Sequence, residues 1–420
     1  MKSLFVFRYY RISTGGIQTW IYQACKRLIE QNHSVLVITK KKNGIYDGFA
    51  DVLKDSHVKV IDEAEEFLWK YSEYNDVKYY TFTLEGFAKA CQIKRSNKDK
   101  HIDLFYCVPN FKGLDYYYDE PFTGLFKSFV NKRLSKIFKG MNDACQIRYF
   151  SNEHIRKMTD EYHYTPNMST PIKMPRVDTL SPFDEQQRRN VWKREEFRII
   201  SVSRFDFPHK AYIIGLIDAY EEIKKKYSNV TLMIVGYGHS LTDIKERISL
   251  LDAHSQSGIT MIGETNYDDL PALYNEANLN ISVAGCCCLG AKNGVLSIPA
   301  RHFSYSCEVY GFLPDSINMI TSAEPGCPVI PYIEETINMT EDEYVKKCYA
   351  GHHYDETFSN KSSLFDTNLK DYVLPRSDIR FILTIHCVVL LYVPFKQRLH
   401  RATHGGFLQM IKKLIYRYKE

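Results

Sequence analysis

Arg204 and Lys210 stand six residues apart in the segment SVSRFDFPHK, residues 201–210. The segment follows the apolar run Phe197-Arg198-Ile199-Ile200. It precedes AYIIGLIDAYEEIKKKY, whose apolar residues recur at helical spacing. A guanidinium and an ammonium in a loop between a buried strand and a helix start suit one chemistry. Helix N-termini present free N–H groups and the positive end of the dipole, so they already favour anions. Two fixed cations added there make a diphosphate site, each charge-assisted hydrogen bond contributing roughly 1.5–3 kcal/mol. The plainer alternative is a solvated pair of surface cations. Gly15 and Gly16 either let backbone approach a ligand or only form a tight turn. No G-x-G-x-x-G and no Walker lysine accompanies them.

The elements that must position these residues alternate. SLFVF reads as a buried strand, and a glycine-bearing loop follows. The segment IQTWIYQACKRLIEQNH is helical by the spacing of Ile17, Ile21, Ala24 and Leu28, and SVLVITK is a second buried strand. VKVID, DLFYCV and ACQIRYFS are further strand candidates. Residues 176–196 break the pattern, being charged, proline-bearing and without a sustained apolar period, so the interdomain connection falls there. Alternation restarts with FRIISVS and continues through VTLMIVGYG, ITMIG and LNISVAG. The expected fold class is α/β, in two domains with mostly parallel sheets. The expected boundaries are 1–180, 197–375 and a tail over 376–420.

A chain of 420 residues is too long for one ordinary core. Apolar content of 44% and charged content of 25% are those of a globular protein. The eleven cysteines are odd in number and include no C-x-x-C, which argues against a disulfide framework and for reduced thiols in a cytoplasmic setting. Cys286, Cys287 and Cys288 are adjacent, and three neighbours in a strand cannot all face one metal ion. His33 reads as a helix–strand turn and His209 as loop structure. The start, MKSLFVF, is too short for a signal peptide. Net charge is +5, yet residues 396–420 alone hold seven cations against Glu420. Residues 381–395 are an apolar run too short to span a bilayer, leaving a buried helix or strand or a monotopic segment. The basic amphipathic end, Phe407 to Tyr418, fits an anionic membrane surface or a helix packed on the protein.

Taken together, two blocks resemble the retaining glycosyltransferases of family 4. STGGIQTWIYQACKRLIEQNHSVLVIT looks like the family's opening. SVSRFDFPHKAYIIGLIDAYEEIKKKYSNVTLMIVGYG looks like the start of its second domain, with Gly236 and Gly238 at the strand end. The resemblance covers about residues 1–350 and implies a GT-B architecture, two Rossmann-like domains facing a cleft. It also implies that Arg204 and Lys210 grip the donor diphosphate without a metal or other cofactor. Gly15 and Gly16 would approach phosphate and acceptor.

The family's E-x7-E pair is missing. The two positions fall on Ser282 and Gly290, so the donor-ribose carboxylate is absent there; Glu308 in SCEVYGF is the nearest acid downstream and the candidate substitute, and Gly236, Gly238, Ser282 and Glu308 are the further donor- or acceptor-binding candidates. The implied function is transfer of a hexose from a nucleotide sugar to a glycan or lipid-linked acceptor in surface polysaccharide synthesis, with no nucleic acid involved. The implied location is cytoplasmic or peripheral on the inner face of the cell membrane. A non-catalytic subunit of the same fold and a nucleotide-sugar epimerase are the alternatives.

Overall fold

The computed structural model describes residues 3–10, 12, 15–40, 47–108, 124–168, 171–175, 177, 182–354, 362–366 and 369–400. Two parallel sheets organise it. The first holds β1 (Leu4–Arg8), β2 (Ser34–Thr39), β3 (Val58–Asp62), β4 (Asp76–Thr81), β5 (His101–Val108) and β6 (Ile147–Tyr149), in the order β3-β2-β1-β4-β5-β6. The second holds β7 (Phe197–Arg204), β8 (Val230–Tyr237), β9 (Ile259–Ile262), β10 (Leu279–Ser282) and β11 (Leu296–Pro299), in the order β11-β10-β7-β8-β9. A small hairpin, β12 (Glu308–Val309) and β13 (Cys327–Pro328), follows.

The reason for parallel sheets is visible in the strands. All five residues of β1, LFVFR, are buried, as a strand covered by helices on both faces must be. Each sheet accordingly divides its apolar side chains between two clusters. In both sheets the chain winds outward on one side of its first strand and then crosses to the other. Strand order therefore reverses beside β1 and beside β7, and such reversals open a crevice at the carboxyl ends of the strands.

Two stretches differ from the sequence expectation, and a third takes the buried-helix alternative left open there. Within residues 176–196 a helix forms over Glu185–Trp192, capped by the Asp184 side chain, which accepts from the Gln187 N–H. Its apolar anchor is Val191, and its other buried residue is Arg188, whose guanidinium donates to the carbonyls of Ala277 and Asn275 at 3.1 Å each. A charged sequence thus hides a helix because an arginine replaces part of the apolar stripe. The second stretch, residues 362–366 and 369–374, runs back along the first sheet. Tyr80 donates to the Leu364 carbonyl at 3.1 Å and Gln146 to that of Tyr372 at 3.0 Å.

The third stretch, the apolar run after Phe381, belongs to a helix over Arg376–His400. Ile379, Ile382, Ile385 and Val389 bury it against the core of the first sheet. No helix among the described residues is long and apolar enough to cross a membrane. The amphipathic end, from Phe407 to Tyr418, lies outside the described residues.

Candidate active site

The two crevices face each other across a cavity of about 510 Å³. The first sheet's side supplies Gly15, Gly16, Trp20, His154 and Lys173. The second supplies Arg204, Lys210, Gly236 and the start of the Ala284–Lys292 helix. Tyr22 and Lys26 both donate to Asp268 across the gap, each at 2.9 Å, and Thr321 donates to Glu153 at 2.9 Å. The walls are therefore tied at more than one point.

Gly15 caps the Gly16–Glu30 helix, and its carbonyl accepts from the Thr19 N–H at 2.9 Å. A Cβ on Gly16 would meet no atom within 4 Å, so that position opens the wall. On the other side, Arg204 is the last residue of β7 and donates through Nε to the Asp206 carboxylate. The Lys210 N–H donates to the Asp206 carbonyl at 3.0 Å, which folds the loop just ahead of the Tyr212–Lys226 helix. Burial pulls the Lys210 ammonium below the ordinary lysine range, and the neighbouring Arg204 charge adds to this. A desolvated cation beside a second cation gains most from an incoming anion.

The structure separates the remaining sequence candidates. Gly236 lines the cavity; Gly238, Ser282 and Glu308 do not. A Cβ on Gly238 would lie 2.5 Å from the Phe205 carbonyl oxygen, so this glycine lets the cation loop fold over the end of β8. Ser282 is fully buried, accepting from the Val202 N–H at 3.0 Å and donating to Asn280 at 2.7 Å, which pins β10 to β7. The Glu308 carboxylate is taken up by Arg301 at 2.9 Å, Ser306 at 2.9 Å and the Gly326 N–H at 2.8 Å. It holds the β12–β13 hairpin and does not substitute for a ribose acid in the cavity.

Gly290 explains why the absent acid could not simply be restored. A Cβ there would sit 2.2 Å from the Asn280 amide nitrogen, which is itself held by Ser297 and by the Cys286 and Cys287 carbonyls. The three adjacent cysteines lie on the Ala284–Lys292 helix rather than on a strand; Cys287 is buried, and Cys286 and Cys288 face the cavity. The Asn280 amide ties the start of this helix to β10, a contact that no apolar pattern announces.

Lys173, Lys292 and His154 are cavity residues that sequence reasoning missed. Lys173, in the segment PIKMP, forms an isolated parallel bridge with Tyr149 at the end of β6, is 6% exposed, and burial lowers its ammonium to about 8. A lysine set between apolar residues and prolines was the one available signal. His33, read as structural, packs its ring on Phe5 and Phe365.

His209 turns its ring to His302, Nε2 to Nδ1 at 2.7 Å. Burial, then the charges of His302, Lys210 and Arg204, hold His209 at about 3. Burial and Lys210 hold His302 at about 4. Burial, then Lys157, Lys173 and His302, hold His154 at about 3. The fold keeps these imidazoles neutral, while the unfolded chain takes up protons near 6.5. Acidification therefore favours unfolding, and the loss starts below about pH 6.5 and grows toward about pH 4. Each imidazole contributes up to about 1.4 kcal/mol per pH unit in that window. Urea midpoints should fall as the pH is lowered from about 7 to about 5, and His302→Asn should flatten the dependence. An unchanged slope in the variant would remove His302 from this account.

Comparison with known proteins agrees with this geometry. Residues 182–284 match the family model described as glycosyl transferases group 1. No curated protein matches the sequence. A glycosyltransferase from Rickettsia africae ESF-5 is 15% identical, with 93% of this chain and 99% of that one covered at a TM-score of 0.56. Anabaena HepE, in complex with UDP and glucose, is 12% identical, with 91% and 98% covered at 0.54. An S. aureus TarM mutant, in complex with fondaparinux, alpha-GlcNAc-glycerol and UDP, is 10% identical, with 92% and 100% covered at 0.53. The architecture is GT-B. Within that architecture, residues 182–284 are similar to the glycosyl transferases group 1 family, which supports transferase activity.

Proposed function

We propose that this chain transfers a hexose from a nucleotide-diphosphate sugar to a glycan or lipid-linked glycan, with retention, in surface polysaccharide synthesis. The observation that carries the reading is the convergence of Arg204 and Lys210 on one wall of the interdomain cavity with Gly15 and Gly16 on the other. The group 1 domain spans both cations and Gly236. Two of the structural relatives are complexes with UDP, which makes UDP-sugars the first donors to try.

As the sugar departs, negative charge builds on the leaving diphosphate. Cations already fixed at that oxygen favour the transition state over the ground state. The described cavity residues include four ammonium or guanidinium groups and no Asp or Glu. This supports a mechanism in which the leaving phosphate, rather than a carboxylate, receives the acceptor's proton, and it supports retention. A thermal-shift screen across UDP-, GDP- and dTDP-sugars identifies the donor, because a ligand that binds only the folded state raises stability by RT ln(1 + [L]/Kd). Transfer assayed with and without acceptor separates the readings: epimerisation needs no acceptor, and a non-catalytic subunit changes neither sugar nor acceptor.

The same reading gives the cavity no divalent metal. Among the described residues, Asp76, His101 and Asp103 are the group with metal-ligand geometry. They sit at the starting ends of β4 and β5, whereas the cavity lies at the carboxyl ends, and Lys78 is 3.2 Å from Asp103. Transfer is expected to survive EDTA unchanged. Loss of activity with EDTA and its return with magnesium or manganese would overturn the cation-only account.

A further inference from the structure

The helix over Gly124–Asp143 has two faces of different chemistry. Val130, Leu134, Ile137, Phe138 and Met141 bury one against the first sheet's core. The other begins with Leu125, 92% exposed, Phe126, 49% exposed, and Phe129, 54% exposed. Lys132, Lys136 and Lys139 follow, all exposed. Leu125, Phe129, Lys132 and Lys136 are three or four residues apart, so they form one line along the helix. Lys127 and Arg133 raise its cations to five, and no acid occurs before Asp143.

The helix over Arg376–His400 lies alongside. Phe381 meets the Phe129 ring at 6.1 Å between centroids. The Arg133 guanidinium lies 4.6 Å from the Phe381 ring and 3.0 Å from the Asp378 carboxylate. That second helix exposes Arg376, Arg380, Val388 and Leu390. Of the nearby acids, Asp378 is engaged by Arg133, and Glu161 accepts from Asn131 at 3.0 Å. A polar hollow of about 430 Å³ beside the exposed aromatics has Lys127 and Lys132 in its lining.

We infer that Leu125, Phe126, Phe129 and the lysines at 132, 136 and 139 dock the protein on an anionic lipid surface. Large exposed apolar side chains at one end of a cationic stripe match an interface with apolar tails below and anionic headgroups above. Charge disfavours two other occupants. A second copy would bring two cationic stripes face to face. Residues 401–420 carry Arg401, Lys412, Lys413, Arg417 and Lys419 against Glu420, so they would add to the positive charge and not neutralise it. The inference rests on the proposed function only for its purpose, since a lipid-linked acceptor would be met at such a surface. Its test reads partition and not sugar transfer, so either can fail alone.

The test is flotation of the full chain at low salt with vesicles of equal parts phosphatidylglycerol and phosphatidylcholine, and with phosphatidylcholine alone. The chain should float with the first and not the second, and release as salt rises. One lysine near an anionic surface changes partition about fivefold, so the triple variant Lys132→Glu, Lys136→Glu, Lys139→Glu should lose on the order of a hundredfold or more. Phe126→Ser with Phe129→Ser should also detach the chain, and as these side chains are about half exposed, circular dichroism should stay that of the parent. A chain ending at His400 should still float. The inference fails if the parent stays in solution, if both variants float like the parent, or if only the shortened chain is released. It also fails if the parent sediments as a dimer that the double phenylalanine variant dissociates, since the face then joins two copies.

Discussion

Lys210→Ala and Arg204→Ala are each expected to lower transfer by about a hundredfold to a thousandfold at saturating donor, which corresponds to roughly 3–4 kcal/mol. The two losses should differ in what accompanies them. Lys210 is a desolvated cation held below the ordinary lysine range, so its removal relieves a burial cost and the fold should tolerate it. Arg204 is about a third exposed and paired with Asp206, so its loss removes the guanidinium that offsets that carboxylate and leaves it His239 at 3.2 Å. Arg204→Ala should therefore weaken donor binding as well as turnover, through repulsion between Asp206 and the diphosphate. Steady-state kinetics with circular dichroism of each variant decides the matter. Turnover near that of the parent in both variants would end the diphosphate role.

Gly236→Ala is the second large effect, and it acts on stability. Gly236 has φ +146°, and a Cβ there would lie 1.8 Å from the Ser203 carbonyl oxygen. That oxygen belongs to β7, the strand paired with β8, so the clash is with backbone that cannot rotate away. Moving it would pull Arg204 from its place at the end of β7. The expected cost is at least about 3 kcal/mol, read from the urea midpoint. Donor binding should weaken with it, since the same displacement moves the cation. A variant with an unchanged midpoint would show that β7 can yield at its end.

The sequence by itself determined the frame. Continuous runs of Val, Ile, Leu and Phe alternate with helical spacing, and only parallel sheets covered on both faces bury such runs. Strand-end loops then followed, and with them the positions of Gly15, Gly16, Arg204 and Lys210, because local polarity change marks where a buried strand stops. The tertiary structure decided what lies opposite what. Lys173 and His154 reach the cavity from the far wall, brought there by the packing of two sheets that no local pattern encodes. Glu308 and Ser282 look like site residues in the chain and are structural in space, because a carboxylate or hydroxyl takes its role from its partners. Glu308 found Arg301, Ser306 and Gly326, and Ser282 found Val202 and Asn280. The helix hidden in the charged connector and the return of residues 362–366 and 369–374 to the first sheet have the same origin. In each, a buried polar group is satisfied by backbone distant in sequence, Arg188 by the Ala277 carbonyl and Tyr80 by that of Leu364. Hydrophobic periodicity records which face is buried. It carries no record of the hydrogen-bond partner waiting there.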